Sequence, residues 1–332
     1  MRRPPAQLGL IFSTAPPPLV LSYGLGVDST ALLVGWHQRG VRPDLILFSD
    51  TGGEKDETYA YIAVIRAWLA RVGFPDLTVI RRTPIKGSKG TYSTLEGNCL
   101  TNEMLPSLAY GGRRGCSVAW KGKVLDAHVA KWAPAIAARA AGQKVLRAIG
   151  YDAGPKDSGR CWDITEDAGS LFVYFLREWG WDRARCEREI LAAGLPLPPK
   201  SACFFCPATS PAELVQLHRQ SPHLTARAVA MEDRAQPNLL KIGGLWGSGT
   251  KGVEGAQPRP ASWREFLRAL DAGELNDDGT PKEVGRLPWD GRAIYQARLV
   301  RRAEKVAAKQ ARATLRAEKA AAKQARAVAL AA

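Results

Sequence analysis

Apolar residues in the first third of the chain fall into short unbroken runs separated by stretches of helical spacing. Leu19 to Ser22, Leu45 to Phe48 and Leu77 to Ile80 are runs of strand length. Between them, Ser29 to His37 reads as a helix, and Thr58 to Val72 carries Ile62, Ile65 and Leu69 at helical intervals. Further on, Val145 to Gly150 predicts another strand. Strand and helix in alternation predict an α/β fold, a parallel sheet with helices on both faces. Such sheets bind ligands beyond the C-terminal ends of their strands, which singles out Ser22–Thr30 and Asp50–Glu54.

The remainder is less regular. Residues 1–17 form a proline-rich leader, and Lys86 to Gly115 is polar and glycine-rich, as expected of an active-site cover or a mobile loop. Ile242 to Lys251 reads as a connection packed by Trp246, with a second anion contact as the alternative, and a helix is expected from near Ser262. The predicted organisation is a leader (1–17), a main domain (18–225), an accessory region (226–297) and a basic helical tail (298–332).

Leu19-Val-Leu-Ser-Tyr-Gly-Leu-Gly-Val-Asp-Ser-Thr30 runs from a buried strand through a glycine turn into a helix. Unsatisfied N–H groups in such a turn and at the helix N-terminus favour an anion, and glycine lets phosphate oxygens approach. A Walker A loop would need lysine where Asp28 stands, and a dinucleotide fingerprint would need a third glycine where Ser29 stands. The second strand continues into Asp50-Thr-Gly-Gly-Glu54. The two turns together resemble the PP-loop superfamily, whose pattern is Ser-Gly-Gly-x-Asp-Ser, and more closely its phosphoadenosine phosphosulfate (PAPS) reductase-like branch. Here Tyr23 replaces the first glycine, and Gly26 lies in a lengthened loop.

The resemblance implies an adenine nucleotide alpha hydrolase-like fold. It also implies a site for ATP or a sulfonucleotide, with Mg²⁺, at Ser22, Gly24, Gly26, Asp28, Ser29, Thr30, Asp50, Thr51 and Gly52. Arg113-Arg-Gly-Cys-Ser-Val-Ala-Trp-Lys121 is similar to the family's Cys-Thr-x-x-x-Lys element, and Asp157-Ser-Gly-Arg160 to its Glu-Ser-x-Arg. These add Arg113, Arg114, Lys121 and Arg160 as anion contacts, with Asp28, Lys121 and Arg160 expected to be catalytic.

Six cysteines in a chain of this length, two of them as Cys203-x-x-Cys206, suggest a reducing compartment and a metal or redox site more than a disulfide scaffold. The segment Leu176–Cys186 followed by Pro198-Pro-Lys-Ser-Ala-Cys-Phe-Phe-Cys-Pro207 resembles bacterial and phage members of the same branch. Cys116 and Cys186 would complete the ligand set of Cys203 and Cys206, with Cys161 and Cys99 as substitutes. Cysteine-only ligation suits an iron-sulfur cluster or Zn, and the family comparison favours iron-sulfur. The alternatives are a redox dithiol or ordinary buried thiols. The four histidines are expected to be structural or solvated.

With 45% apolar and 24% charged residues the chain is expected to be globular and cytoplasmic. No run reaches the length of a membrane span, and Leu8–Phe12 is short for a signal-peptide core. Net charge is +15, of which the ten Lys/Arg from Arg298 onward, against Glu304 and Glu318, supply +8. That tail repeats itself: Arg302 to Leu315 is followed by a near copy beginning at Arg316. Its basic residues recur at steps of four and three along one face, which implies a DNA or RNA contact or a solvated helix.

No cysteine follows Cys206, whereas sulfonucleotide reduction in the family uses one near the C-terminus. The expected function is therefore ATP cleavage to an adenylate and pyrophosphate, serving sulfur or nitrogen transfer, with nucleic acid among the acceptors. The alternatives are a sulfonucleotide reductase and a noncatalytic nucleotide- and nucleic-acid-binding module.

Overall fold

The structure is a computed structural model that describes residues 16–111, 115–158, 166–250, 257–283 and 285–331. Arg113, Arg114, Arg160, Cys161 and Lys251 lie outside the described residues. In chain order the elements begin β1 (Leu19–Ser22), α1 (Val27–Gln38), β2 (Leu45–Asp50), α2 (Asp56–Arg71), β3 (Leu77–Arg81), β4 (Ile85–Gly87), β5 (Gly90–Tyr92) and α3 (Leu95–Asn102). Then follow α4 (Gly115–Ser117), a π-helical turn (Val118–Gly122), α5 (Lys123–Lys131), α6 (Ala133–Ala140), β6 (Val145–Ile149) and α7 (Pro155–Ser158). The last are β7 (Ser170–Val173), α8 (Phe175–Glu178), α9 (Arg183–Ala192), α10 (Pro211–Gln220), α11 (Pro222–Ala235), α12 (Trp263–Asp271) and α13 (Gly291–Ala331).

The chain divides into two compact units. The first comprises residues up to Leu95 together with Gly115–Phe204, and the second Glu96–Arg114 together with Phe205 onward. The chain thus passes from one unit to the other inside the Cys203-x-x-Cys206 turn, and residue 225 falls within α11.

The first unit holds a five-stranded sheet of order β3-β2-β1-β6-β7, parallel at every pairing. β2 is buried along its whole length, as the unbroken apolar run requires. Successive β1 residues point to opposite faces: Leu19 and Leu21 pack with α1, α2 and α9, and Val20 packs with Leu125, Val129 and Ala135 of α5 and α6. The sheet is therefore covered by helices on both faces, an α/β architecture compatible with a Rossmann-like fold. From β1 the chain winds outward to β2 and β3, then returns to lay β6 on the other side of β1. The crevice between β1 and β6 is the switch point of this topology.

Lys86 to Gly115 contains more structure than a loop. It begins with the β4–β5 hairpin and continues into α3 and a 3-10 turn over Ser107–Tyr110, with Leu95, Cys99, Leu105 and Ala109 buried. These elements are too short for a hydrophobic period to register.

The second unit packs α10, α11 and α12 around Leu214, Met231, Trp246, Trp263 and Phe266. Helix α10 opens on a capping box: Glu213 N–H donates to Ser210 Oγ at 3.4 Å, and Ser210 N–H donates to Glu213 Oε2 at 2.9 Å. Trp246 is buried, and its Nε1 donates to the Thr209 carbonyl at 2.7 Å, so this loop is packed as expected. Helix α12 starts after Ser262, and the tail is one continuous helix whose first turn lies upstream of Arg298. Among the described residues no helix is long and apolar enough to cross a membrane.

Candidate nucleotide and cation site

The turn after β1 is shaped from within by side chains expected to meet a ligand. Tyr23 is buried, with its hydroxyl 2.9 Å from Thr30 Oγ1, and burial pushes the phenol far above its ordinary range. Thr30 Oγ1 donates to the Gly26 carbonyl at 2.9 Å, and Ser29 Oγ donates to the same carbonyl at 3.2 Å while accepting from Gly24 N–H. Leu25, fully buried, sits at φ +56°, a left-handed conformation that a leucine adopts only when its side chain is held by a core. Ser22 Oγ accepts from Arg147 of β6 at 3.3 Å. The hydroxyls of Ser22, Ser29 and Thr30 thus hold the turn together. What faces outward is backbone: Gly26 is the N-cap of α1, and no side chain caps that helix.

Asp28 lies in the first turn of α1 and meets two carboxylates from beyond β6, Asp152 and Asp157. One carboxylate oxygen from each of the three lies within 4.8 Å of the other two, and Asp152 and Asp157 are buried. Gly150 makes the meeting geometrically feasible. A Cβ there would stand 2.6 Å from Ser29 N and 2.7 Å from Ser29 Cα, so only glycine lets the end of β6 run this close to α1. Asp152 Oδ1 is steadied by Gly154 N–H at 2.8 Å. Arg183 of α9 reaches Asp28 Oδ1 at 3.2 Å. Asp28 is raised to about 6: burial pushes it up most, Arg183 pulls it down, and Asp152 and Asp157 push it up to a smaller extent.

The turn after β2 is built differently. Asp50 is buried and fully engaged: Oδ1 accepts from Gly52 N–H and from the Tyr59 hydroxyl, both at 2.8 Å, and Oδ2 from Arg81 at 2.7 and 2.6 Å. Gly52 adopts φ +72°, and a Cβ there would lie 2.3 Å from Thr94 Cγ2. Thr51 Oγ1 lies 3.4 Å from Cys203 Sγ and accepts from Gly53 N–H. Glu54, next along, is buried. Its Oε1 takes the Lys121 ammonium at 2.9 Å, while Oε2 has no hydrogen-bond partner among the described residues. Lys121 belongs to the π-helical turn, whose Trp120 carbonyl accepts from Ser49 Oγ at 2.9 Å. The expected anion contact Lys121 is therefore ion-paired within the first unit.

The proposed cysteine ligands lie in different surroundings. Cys186 is fully exposed to the apolar core between α1 and α9 and fully shielded from solvent. Burial, with Asp28 and Asp152 adding to it, pushes its thiol up to about 12. Cys203 lies beside Thr51 and pairs by backbone with Glu54, and Cys116 sits on α4. Among the described residues the group of three or more His, Cys, Asp or Glu close enough to share an ion is the aspartate trio, and it contains no cysteine.

His37 packs edge-on to Trp68 and Phe74, and His218 sits between Thr225 and Asp271, at 2.9 and 3.1 Å.

Sequence reasoning did not single out Asp152, Gly150 or Arg183. A signal was present in Gly150-Tyr-Asp-Ala-Gly154, a second glycine-and-aspartate turn directly after a strand. The chain matches no protein-family model and no curated protein.

Proposed function

We propose that the chain is a nucleotide-binding enzyme of the PP-loop, PAPS reductase-like kind that cleaves ATP between its α and β phosphates, activating an acceptor as an adenylate for sulfur or nitrogen transfer. The observation that carries this reading is the coincidence at the switch point between β1 and β6. An uncapped glycine turn, the first turn of α1 and three converging carboxylates occupy the same crevice. The N–H groups of Gly26 and the first turn of α1 bind phosphate oxygens.

Hard oxygen donors close together fit Mg²⁺. Asp28, Asp152 and Asp157 would hold it, and when bound it supplies positive charge against the phosphates. Arg183, half exposed beside Asp28, orients this carboxylate and is within reach of an anion that approaches it. Lys121 acts through Glu54, fixing the turn after β2.

Equilibrium binding of a non-hydrolysable ATP analogue, with and without Mg²⁺, together with pyrophosphate release from ATP, tests the proposal. Mg²⁺-dependent binding is expected, weakened at least about tenfold by Asp28→Asn. Absence of Mg²⁺-dependent binding in the unmodified protein overturns it. Binding without pyrophosphate release favours the noncatalytic module.

A further inference from the structure

Helix α13 carries a surface that the nucleotide reading does not use. Every residue from Arg302 to Ala321 is exposed, a stretch of roughly 30 Å at 1.5 Å per residue. At about 100° per residue, Arg302, Lys305, Lys309, Arg312, Arg316 and Lys319 fall within an arc of about 100°. Glu304 and Glu318 lie outside that arc, so no acid interrupts the ridge. Lys305 also donates to Asn238 Oδ1 at 2.9 Å, which ties the root of the ridge to the body of the unit.

This arrangement works against the helix itself. Lys305 with Lys309 and Arg312 with Arg316 are like charges four residues apart, and Lys309 with Arg312 and Arg316 with Lys319 are like charges three apart. Each such pair weakens a helix, whereas glutamate placed four residues before lysine would have strengthened it. The repeat forgoes that support twice over. A polyanion laid along the ridge converts the repulsion into attraction. The exposed apolar residues Val306 and Leu315 fall on opposite flanks of the ridge and form no stripe, so the helix lacks the face needed to enter a lipid surface or a coiled coil. Aromatic residues, on which unpaired bases stack, do not occur between Arg302 and Ala321. The residues off the ridge are mostly alanine, which keeps the rod slender enough for the B-form major groove of about 12 Å, whereas the major groove of duplex RNA is deep and narrow.

The geometry points to double-helical DNA as the occupant of this ridge, held through its phosphates without sequence preference. The inference is independent of the nucleotide site. The test uses the full chain and a labelled DNA duplex of about 24 base pairs and arbitrary sequence, with affinity followed against NaCl concentration. With five or six phosphates engaged, log K falls against log[NaCl] with a slope of about −4.5 to −5.4. The variant carrying Lys309→Gln, Arg312→Gln, Arg316→Gln and Lys319→Gln, in which glutamine keeps the helix, loses about 3.6 of that slope. A control carrying Lys86→Gln, Lys131→Gln, Arg188→Gln and Lys282→Gln, equal in charge but outside α13, keeps it. Circular dichroism is expected to show helix content rising when the duplex is added. A slope shallower than about −2 for the unmodified protein, an equal loss in the two variants, or tighter binding to phosphatidylserine vesicles or to single strands than to the duplex each overturns the inference.

Discussion

Glu232 in the second unit and the aspartate trio in the first are both buried acidic centres, but they differ in what surrounds the oxygens. Glu232 Oε1 accepts from Leu245 N–H at 2.6 Å and Trp263 N–H at 2.9 Å, and Oε2 from Ser262 Oγ at 2.7 Å and Arg264 N–H at 3.1 Å. Two of these donors belong to the first turn of α12, so a carboxylate on α11 caps the N-terminus of its neighbour and pins the Gly244–Trp246 loop to it. Burial still pushes Glu232 up, and all four donors pull it back. Asp28, Asp152 and Asp157 bring their carboxylates together, with Arg183 against Asp28 and Gly154 N–H against Asp152. A buried carboxylate surrounded by donors is a structural part. Carboxylates that crowd each other make the fold less stable.

The sharpest way to break this contrast is to remove the satisfied acid. Glu232→Ala strands four buried donors and leaves a cavity, and chemical denaturation is expected to show a loss of about 3–5 kcal/mol. Glu232→Gln, which keeps the volume but replaces one acceptor oxygen with an amide donor, is expected to lose about 2–3 kcal/mol. A loss below about 1 kcal/mol for both variants would mean that the cap at α12 is dispensable.

Next in size is the pair at the turn after β2. Lys121→Met removes the ammonium from a fully buried carboxylate and is expected to cost about 2–4 kcal/mol in the same measurement. Glu54→Gln in the Lys121→Met background should recover part of that loss, because the uncompensated charge is gone. Absence of any recovery would show that Lys121 contributes through packing of the π-helical turn and not through Glu54.

The smallest effect has the opposite sign. Asp28 is raised from 3.8 to about 6 in the folded chain, so the unfolded chain ionises first as pH rises. Its penalty is absent below about pH 4, grows between pH 4 and 6 and is complete above. Asp28→Asn is therefore expected to be more stable than the unmodified protein by about 1–2 kcal/mol at pH 7, a gain that vanishes at pH 4. Saturating Mg²⁺ should erase the gain at pH 7 by stabilising only the unmodified protein. A loss of stability at pH 7 would place Asp28 with Glu232 among the structural acids.

Much of the fold was legible because its signals are local. The apolar runs at Leu19, Leu45, Leu77 and Val145 each became a strand of the parallel sheet, and helical spacing located α1 and α2 to within two residues at either end. The β7 strand and the β4–β5 hairpin escaped, since four residues and three residues leave no period to read. At the site, Gly26 and Asp28 carry a turn-and-helix signature that spacing alone reveals. Asp50 looked the same in sequence, yet Tyr59 and Arg81 consume its oxygens, and residues that distant along the chain give no local hint.

By itself, the sequence determined the alternation of strand and helix, the glycine turn with no side-chain cap, and the periodic basic ridge of the tail, because each depends on neighbours within a few positions. Only the tertiary structure decided which acids meet. The parallel register of β1 against β6, Ser22 opposite Ile149, sets Gly150 against the backbone of Ser29 and carries Asp152 and Asp157 to Asp28. The same packing carries Cys186 into the apolar core, where a thiolate is unstable. Desolvation and charge proximity depend on distances through space, and a linear chain does not state them until it folds.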